Sequence, residues 1–120
     1  MKTILVVDDE EDIRKVIQIR MEAKGFQVRT AQNGQEAIES VKQQRPDLVI
    51  LDVMMPIMNG YTVCEKLKLE GEYKDLPILL LTARNQEIDQ RISKMMGIDY
   101  MQKPYEAETL ETKVNKLLQG

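Results

Sequence analysis

The chain has 120 residues, with 17 basic and 20 acidic side chains, no histidine and a net charge of −3. Its length predicts one domain with a single core, and the absence of histidine excludes the commonest general base and the commonest zinc ligand. The net charge is close to neutral and gives no sign of the clustered basic residues on which nucleic-acid binding depends. We therefore expect protein partners and a chemistry that relies on carboxylates, hydroxyls and lysines.

Nothing in the sequence indicates export or a membrane anchor. The single Cys64 excludes an internal disulfide, and Met1–Thr3 leads directly into a predicted strand instead of a signal peptide. No apolar stretch approaches the roughly 20 residues that span a bilayer. We therefore expect a cytoplasmic protein without membrane contact, complete as one domain over residues 1–120.

Two strand–helix pairs are predicted in the first third of the chain. Ile4–Val7 is a short apolar run that predicts a buried strand, and the apolar residues that follow recur at helical spacing up to Met21. Gly25 is typical of the residue that ends a helix, and residues 26–31 alternate as a second, more exposed strand. A second helix is predicted after the Asn-Gly break, and it ends before Pro46 because the residue preceding proline avoids the helical region.

The middle of the chain contains two more buried strands. The run Leu48–Leu51 is continuously apolar, as in a strand buried on both faces of a parallel sheet, and it ends in Asp52. Gly60 begins a third predicted helix. Ile78–Leu81 is a fourth buried run and ends in Thr82.

The last third of the chain completes the alternation of strands and helices. A fourth helix is predicted, ending at Gly97, with four apolar residues facing inward: Ile88, Ile92, Met95 and Met96. Ile98–Met101 predicts a fifth strand, and a final helix follows Lys103 and Pro104. Five strands alternating with five helices predict an α/β fold, a doubly wound five-stranded parallel sheet with helices on both faces and three layers in all.

Polar side chains stand where the predicted strands end. Because the carboxyl ends of parallel strands meet at one edge of the sheet, we expect Asp8, Asp9, Asp52, Thr82 and Lys103 to lie close together. Clustered carboxylates repel one another unless a cation neutralises them, and Mg²⁺ is the natural candidate at a site of oxygen ligands. A screened carboxylate can attack phosphorus while a hydroxyl and an ammonium neutralise the phosphoryl oxygens. The edge therefore predicts phosphoryl-acceptor chemistry.

Each of these residues also has a purely structural interpretation. Taken alone, Asp52 is explained equally well by a structural role, as a turn residue or a helix cap. Asp8, Asp9 and Thr82 are also typical capping residues. Lys103 alone is typical of a solvated surface lysine. The joint pattern favours a functional site, because four separate strand ends each carry the required residue type.

Four segments together resemble the receiver domains of two-component response regulators, the CheY-like family: ILVVDDEED, DLVILDVMMPIMNG, LPILLLTA and GIDYMQKPY. The resemblance covers essentially the whole chain and implies the family's flavodoxin-like strand order 2-1-3-4-5. It implies a phosphoacceptor that receives its phosphoryl group from a sensor histidine kinase or a histidine phosphotransfer protein. Such a domain is no enzyme beyond catalysing its own phosphorylation and dephosphorylation.

The resemblance assigns roles residue by residue. Asp52 corresponds to the phosphorylated aspartate and is also one of the metal ligands. Asp9 corresponds to a direct metal ligand, Asp8 to a carboxylate that reaches the metal mainly through water, and Met54 to the residue that offers its backbone carbonyl to the metal. The implied ion is Mg²⁺, with Mn²⁺ as a substitute.

The same resemblance implies a phosphate-binding pair, Thr82 and Lys103, and a cis peptide bond between Lys103 and Pro104. Thr82 and Tyr100 correspond to switch residues that change the face formed by the fourth helix, the fifth strand and the last helix. A downstream protein target is expected to bind there, without direct contact of the chain with nucleic acid. The domain is expected to be a monomer or a phosphorylation-dependent dimer.

Some positions depart from the residues that are commoner in this family. Asn59, Ile98 and Tyr105 stand where other residues are frequent, and none of these positions belongs to the implied phosphoacceptor site. Met54 and Arg84 occupy the two positions that tune self-dephosphorylation. Since the side chain of Met54 offers no polar group to orient an attacking water, we expect slow hydrolysis, and a phosphoaspartate half-life of seconds or less would contradict this.

Three other interpretations remain open at this point. The chain ends at Gly120 without a DNA-binding segment, which favours a stand-alone receiver, but a fragment of a longer transcriptional regulator would have the same sequence. A phosphatase of the haloacid dehalogenase type places its nucleophile after the first strand in a DxD spacing, whereas Asp8 and Asp9 are adjacent. A flavodoxin-like electron carrier must cradle an anionic phosphate in its first loop, and the acidic residues 8–12 would repel one.

Overall fold

A computed structural model describes residues 1–69, 72–82 and 98–119 of the chain. It contains one parallel sheet in the order β2-β1-β3-β4-β5, whose strands are Thr3–Val7 (β1), Gln27–Ala31 (β2), Leu48–Asp52 (β3), Ile78–Thr82 (β4) and Ile98–Gln102 (β5). The five predicted strands and their order are confirmed, with bounds that differ by one residue at most.

Helices lie between the strands and after the last of them. In the described residues there are four, namely Glu11–Ala23 (α1), Gly34–Gln43 (α2), Gly60–Lys68 (α3) and Ala107–Gln119, which we call the C-terminal helix. The predicted fourth helix, with Gly97 at its end, lies outside the described residues, so the prediction of five helices is confirmed for four of them. None of the described helices is long and apolar enough to cross a lipid bilayer.

The strands alternate side chains between two cores, which gives the three predicted layers. One core joins α1 and the C-terminal helix to the sheet through side chains that include Ile17, Met21, Leu110 and Val114. The other core joins α2 and α3 to the opposite face. Every residue of β3 is buried, as the continuous apolar run predicts for a central parallel strand covered on both sides.

One apolar position in α1 does not face the core. The side chain of Val16 is 55% exposed, whereas Ile17 and Met21 are buried and Ile13 packs partly against the same core. Residues 13, 17 and 21 form the i, i+4, i+8 stripe that faces the sheet, and residue 16 lies about 100° away from residue 17 around the helix axis. Val16 recurs with these residues at helical spacing in the sequence, but it lies outside the buried stripe.

Cys64 is a core residue. It is 2% exposed on α3 and packs in the core between the sheet and α2. Burial raises the pKa of its thiol to about 12, so the group is protonated at neutral pH and is a poor nucleophile.

Candidate functional site

The carboxyl edge of the sheet gathers the predicted polar side chains. Asp8 directly follows β1, Asp52 and Thr82 are the last residues of β3 and β4, and Lys103 directly follows β5. The parallel register aligns these ends, since Asp52 pairs with Leu81 on the neighbouring strand. The common edge follows from the parallel sheet, while the distances within it depend on the loops.

Three carboxylates form a compact cluster at this edge. One oxygen from each of Asp8, Asp9 and Asp52 lies within 4.8 Å of the other two. Asp8 and Asp52 are 1% and 5% exposed, whereas Asp9 is open to solvent. Carboxylates at this separation repel one another strongly where water is excluded, so the cluster attracts a cation.

The carboxylate of Asp8 is divided between a satisfied and an unsatisfied oxygen. Its Oδ1 accepts a hydrogen bond of 2.9 Å from the backbone N–H of Glu10. Its Oδ2 is buried and has no hydrogen-bond partner among the described residues, although the ammonium of Lys103 lies 3.7 Å away. Burial raises the pKa of Asp8, the Glu10 N–H opposes this, and the nearby Asp52 adds to it.

The unsatisfied oxygen tests whether the site suits a divalent cation. A buried carboxylate oxygen without a hydrogen bond, in a residue whose carboxylate clusters with two others, is the arrangement that a hard cation satisfies. Mg²⁺ binds through a few carboxylates and keeps several waters, for which the exposed side of Asp9 leaves room. The residues present therefore fit Mg²⁺.

Asp52 is held from two sides through a single oxygen. Its Oδ1 accepts hydrogen bonds of 3.3 Å from the backbone N–H of Met54 and of 3.3 Å from the ammonium of Lys103. Both contacts are longer than the usual 2.7–3.2 Å of an N–H···O bond, so they hold the carboxylate weakly. The side chain of Met54 itself is 60% exposed.

Lys103 contacts two of the three carboxylates. Its ammonium lies 3.3 Å from Asp52 and 3.7 Å from Asp8, and its side chain is only 23% exposed. Its backbone N–H donates a 2.7 Å hydrogen bond to the carbonyl of Thr82, which ties the loop after β5 to the end of β4. The Lys103–Pro104 peptide bond is cis. The interpretation of Lys103 as a solvated surface lysine is therefore wrong.

Tyr100 lies on β5, next to Leu80 of β4, and packs partly buried against the core shared with α2 and α3. The switch role that the resemblance implies for Tyr100 stays a prediction. Arg84, the second position expected to tune dephosphorylation, lies outside the described residues.

Two further residues shape the site and were not expected to do so. Gly60 begins α3 where an added Cβ would lie 2.9 Å from the carbonyl oxygen of Asp52 and 2.9 Å from the Cα of Val53. Arg14 donates a 2.7 Å hydrogen bond from its guanidinium to the carbonyl of Asp8. One sequence feature does single out Arg14: it is a cation near the start of a helix, where the helix dipole disfavours positive charge. The sequence pattern does not identify the group that Arg14 contacts.

The crowding of the carboxylates is expected to lower stability. In chelator at neutral pH, Asp8→Asn is expected to stabilise the protein by roughly 1 kcal/mol, or about 4 °C in Tm, because it removes one buried charge from the cluster. The raised pKa of Asp8 means that its ionised form opposes folding. The gain should therefore shrink as pH falls and the wild-type carboxyl takes up a proton.

Thermal melts with EDTA and with Mg²⁺ test this expectation. Asp12→Asn, which changes an exposed carboxylate in the first turn of α1, should not raise Tm and is the control. Mg²⁺ should raise the Tm of the wild type more than that of Asp8→Asn. A chelated Asp8→Asn protein that melts below the wild type would contradict the repulsion.

The family model for the response regulator receiver domain matches residues 4–115. The probable transcriptional regulator ycf27 of Cyanophora paradoxa is 42% identical over 118 residues, which make up 98% of this chain and 48% of that protein. The alkaline phosphatase synthesis transcriptional regulatory protein PhoP of Bacillus subtilis strain 168 is 40% identical over 118 residues, again 98% of this chain and 48% of the relative. The chain thus spans about half the length of these curated relatives.

A solved structure agrees with the fold. The response regulator protein TrrA of Thermotoga maritima, determined in complex with Mg²⁺ and BeF, superposes with a TM-score of 0.85 and is 37% identical, covering 98% of this chain and 99% of that one. The family model extends over nearly the whole chain and includes every residue of the acidic cluster. This chain therefore belongs to the response regulator receiver domain family of two-component systems.

Proposed function

We propose that this receiver domain accepts a phosphoryl group on Asp52 from the phosphohistidine of a sensor histidine kinase or a histidine phosphotransfer protein. The observation that carries the proposal is the cluster of Asp8, Asp9 and Asp52 with the ammonium of Lys103 bridging two of its members. This is the arrangement of a metal-assisted carboxylate nucleophile with a cation beside it.

The proposed transfer uses the groups that surround Asp52. A carboxylate oxygen of Asp52 attacks phosphorus, the P–N bond of the phosphohistidine breaks, and its electron pair returns to the imidazole nitrogen. The ammonium of Lys103, already 3.3 Å from Asp52, binds one phosphoryl oxygen, and the hydroxyl of Thr82 binds another. Asp8, Asp9, Asp52 and the backbone carbonyl of Met54 would hold Mg²⁺, which would supply positive charge beside the transferred group.

The proposed output is a change of surface. A phosphoryl group adds negative charge and strong hydrogen-bond acceptors beside Thr82, and this biases a two-state domain. Thr82 and Tyr100 then rearrange, and a downstream protein reads the face that includes β5 and the C-terminal helix. In this proposal the domain is not an enzyme beyond its own phosphorylation and dephosphorylation, and Mn²⁺ can replace Mg²⁺.

A second proposal concerns the protein to which the chain belongs. Two relatives, of whose length this chain covers about half, are named as transcriptional regulators. Their names favour a receiver that controls a DNA-binding segment. The expected lack of contact with nucleic acid then applies to these 120 residues and not to the whole protein. Such a receiver acts on DNA binding through phosphorylation-dependent dimerisation.

Intact-mass spectrometry after incubation with acetyl phosphate tests the acceptor chemistry. We expect one added phosphoryl group in the presence of Mg²⁺ and almost none after chelation, since the repulsion at the cluster then stays unscreened. The later decay of the added mass measures the slow hydrolysis expected from Met54. No addition from acetyl phosphate or from phosphorylated histidine kinases would contradict the proposal. Catalytic release of phosphate from small substrates would favour the phosphatase instead.

A further inference from the structure

Asp8 is anchored at three points, two on its main chain and one on its carboxylate. Its N–H donates to the carbonyl of Ala31 at 3.3 Å, its carbonyl accepts from the guanidinium of Arg14 at 2.7 Å, and its Oδ1 accepts from the N–H of Glu10 at 2.9 Å. These bonds leave Oδ2 as the unsatisfied oxygen of the carboxylate. These three hydrogen bonds thus orient the Asp8 carboxylate before any cation binds.

Arg14 supplies the shortest of the three bonds, from a position six residues further along the chain. It lies in α1 and its own N–H bonds to the carbonyl of Glu10 at 3.1 Å, so the guanidinium reaches back across the loop to the end of β1. A bond from a charged donor to a carbonyl is stronger than a neutral one. Arg14 therefore closes the loop of residues 8–10, which carries two of the three clustered carboxylates.

We infer that Arg14 is a positioning residue for the magnesium site. Through the carbonyl of Asp8 it holds Asp8 and Asp9 in the orientation that faces Asp52, and the cation then finds its ligands already arranged. This inference rests on the proposed function, because it requires that the cluster binds Mg²⁺. Groups that orient metal ligands without touching the metal typically contribute 10–100-fold to metal affinity.

Positioning and simple electrostatics predict opposite results for the loss of Arg14. If its hydrogen bond orients the loop, removing the guanidinium weakens Mg²⁺ binding. If Arg14 acts only as a positive charge near the cluster, removing it lessens the repulsion of the incoming cation and strengthens binding. The sign of the change therefore distinguishes the two.

The test is a Mn²⁺ titration followed by electron paramagnetic resonance, with Mg²⁺ as the competitor. Arg14→Gln is expected to bind Mg²⁺ about 10-fold more weakly than the wild type. Arg14→Lys keeps the charge but not the planar fork, and we expect it to bind about threefold more weakly. Lys15→Gln, which removes an exposed positive charge from the neighbouring position, should bind as well as the wild type or slightly better. Circular dichroism in EDTA verifies that each variant is folded.

Equal or tighter Mg²⁺ binding by Arg14→Gln, with a wild type that binds, overturns the role of Arg14 and leaves the acceptor chemistry intact. If Arg14→Gln does not fold, Arg14→Lys decides alone, and an affinity equal to that of Lys15→Gln overturns the inference. A wild type that binds neither Mg²⁺ nor Mn²⁺ overturns both the magnesium site and the role of Arg14. Weaker binding by both Arg14 variants supports the inference.

Discussion

Asp52→Asn is expected to abolish phosphoryl labelling, with a loss of roughly a thousandfold or more in rate. The amide of asparagine has nearly the shape of the carboxylate but is no nucleophile towards phosphorus. The substitution also removes the charge that the ammonium of Lys103 contacts at 3.3 Å, so the ordering of that lysine should weaken. The fold should remain, because one of three mutually repelling carboxylates has been neutralised.

Intact mass with acetyl phosphate and Mg²⁺ measures the labelling, and Asp75→Asn is the matched control. Asp75 is an exposed carboxylate that precedes β4 at the opposite edge of the sheet, and its variant should label like the wild type. Full labelling of a folded Asp52→Asn protein would refute the assignment of the acceptor. Peptide mapping would then identify the residue that carries the phosphoryl group.

Gly60→Ala is expected to destabilise the protein by about 1–3 kcal/mol, the usual cost of overpacking a site that cannot relax. The new Cβ would lie 2.9 Å from the carbonyl oxygen of Asp52 and from the Cα of Val53, both of which belong to the main chain. Backbone atoms held by the sheet cannot rotate away as a side chain can. The strain would act directly on the strand end that carries Asp52, so labelling should slow as well.

Gly34 is the matched control for this substitution. Both glycines are the first residue of a helix and both follow an asparagine whose side chain caps that helix. At Gly34, however, a Cβ would meet side-chain atoms of Val63 and Met58. Urea unfolding should show a loss for Gly34→Ala too, because the new Cβ would lie 2.8 Å from the Cγ2 of buried Val63, but labelling should change little. A Gly60→Ala protein as stable as the wild type would contradict the close approach.

The arrangement of the polar residues at one edge could be predicted from the chain itself. The continuous apolar run of β3 is buried on both faces in the structure, and it predicts a parallel sheet whose strand ends share an edge. Asp8, Asp52 and Thr82 each follow or end an apolar run, and Lys103 follows the fifth predicted strand, so their common location follows from local patterns. Residue type and position in the strand were sufficient.

What the sequence could not determine are the contacts between different elements and loops. The ammonium of Lys103 reaches both Asp52 and Asp8, the guanidinium of Arg14 closes on the carbonyl of Asp8, and Gly60 approaches the backbone of β3. Periodicity predicts which face of an element is apolar, but it does not predict how closely two loops approach. The exposed Val16 shows that helical spacing alone does not define the border of the buried face. The sequence by itself determined the strands, their polar ends and the chemistry of those ends. Only the tertiary structure decided which charges touch and which oxygen of Asp8 is left unsatisfied, because these depend on the packing of loops and helices around the sheet.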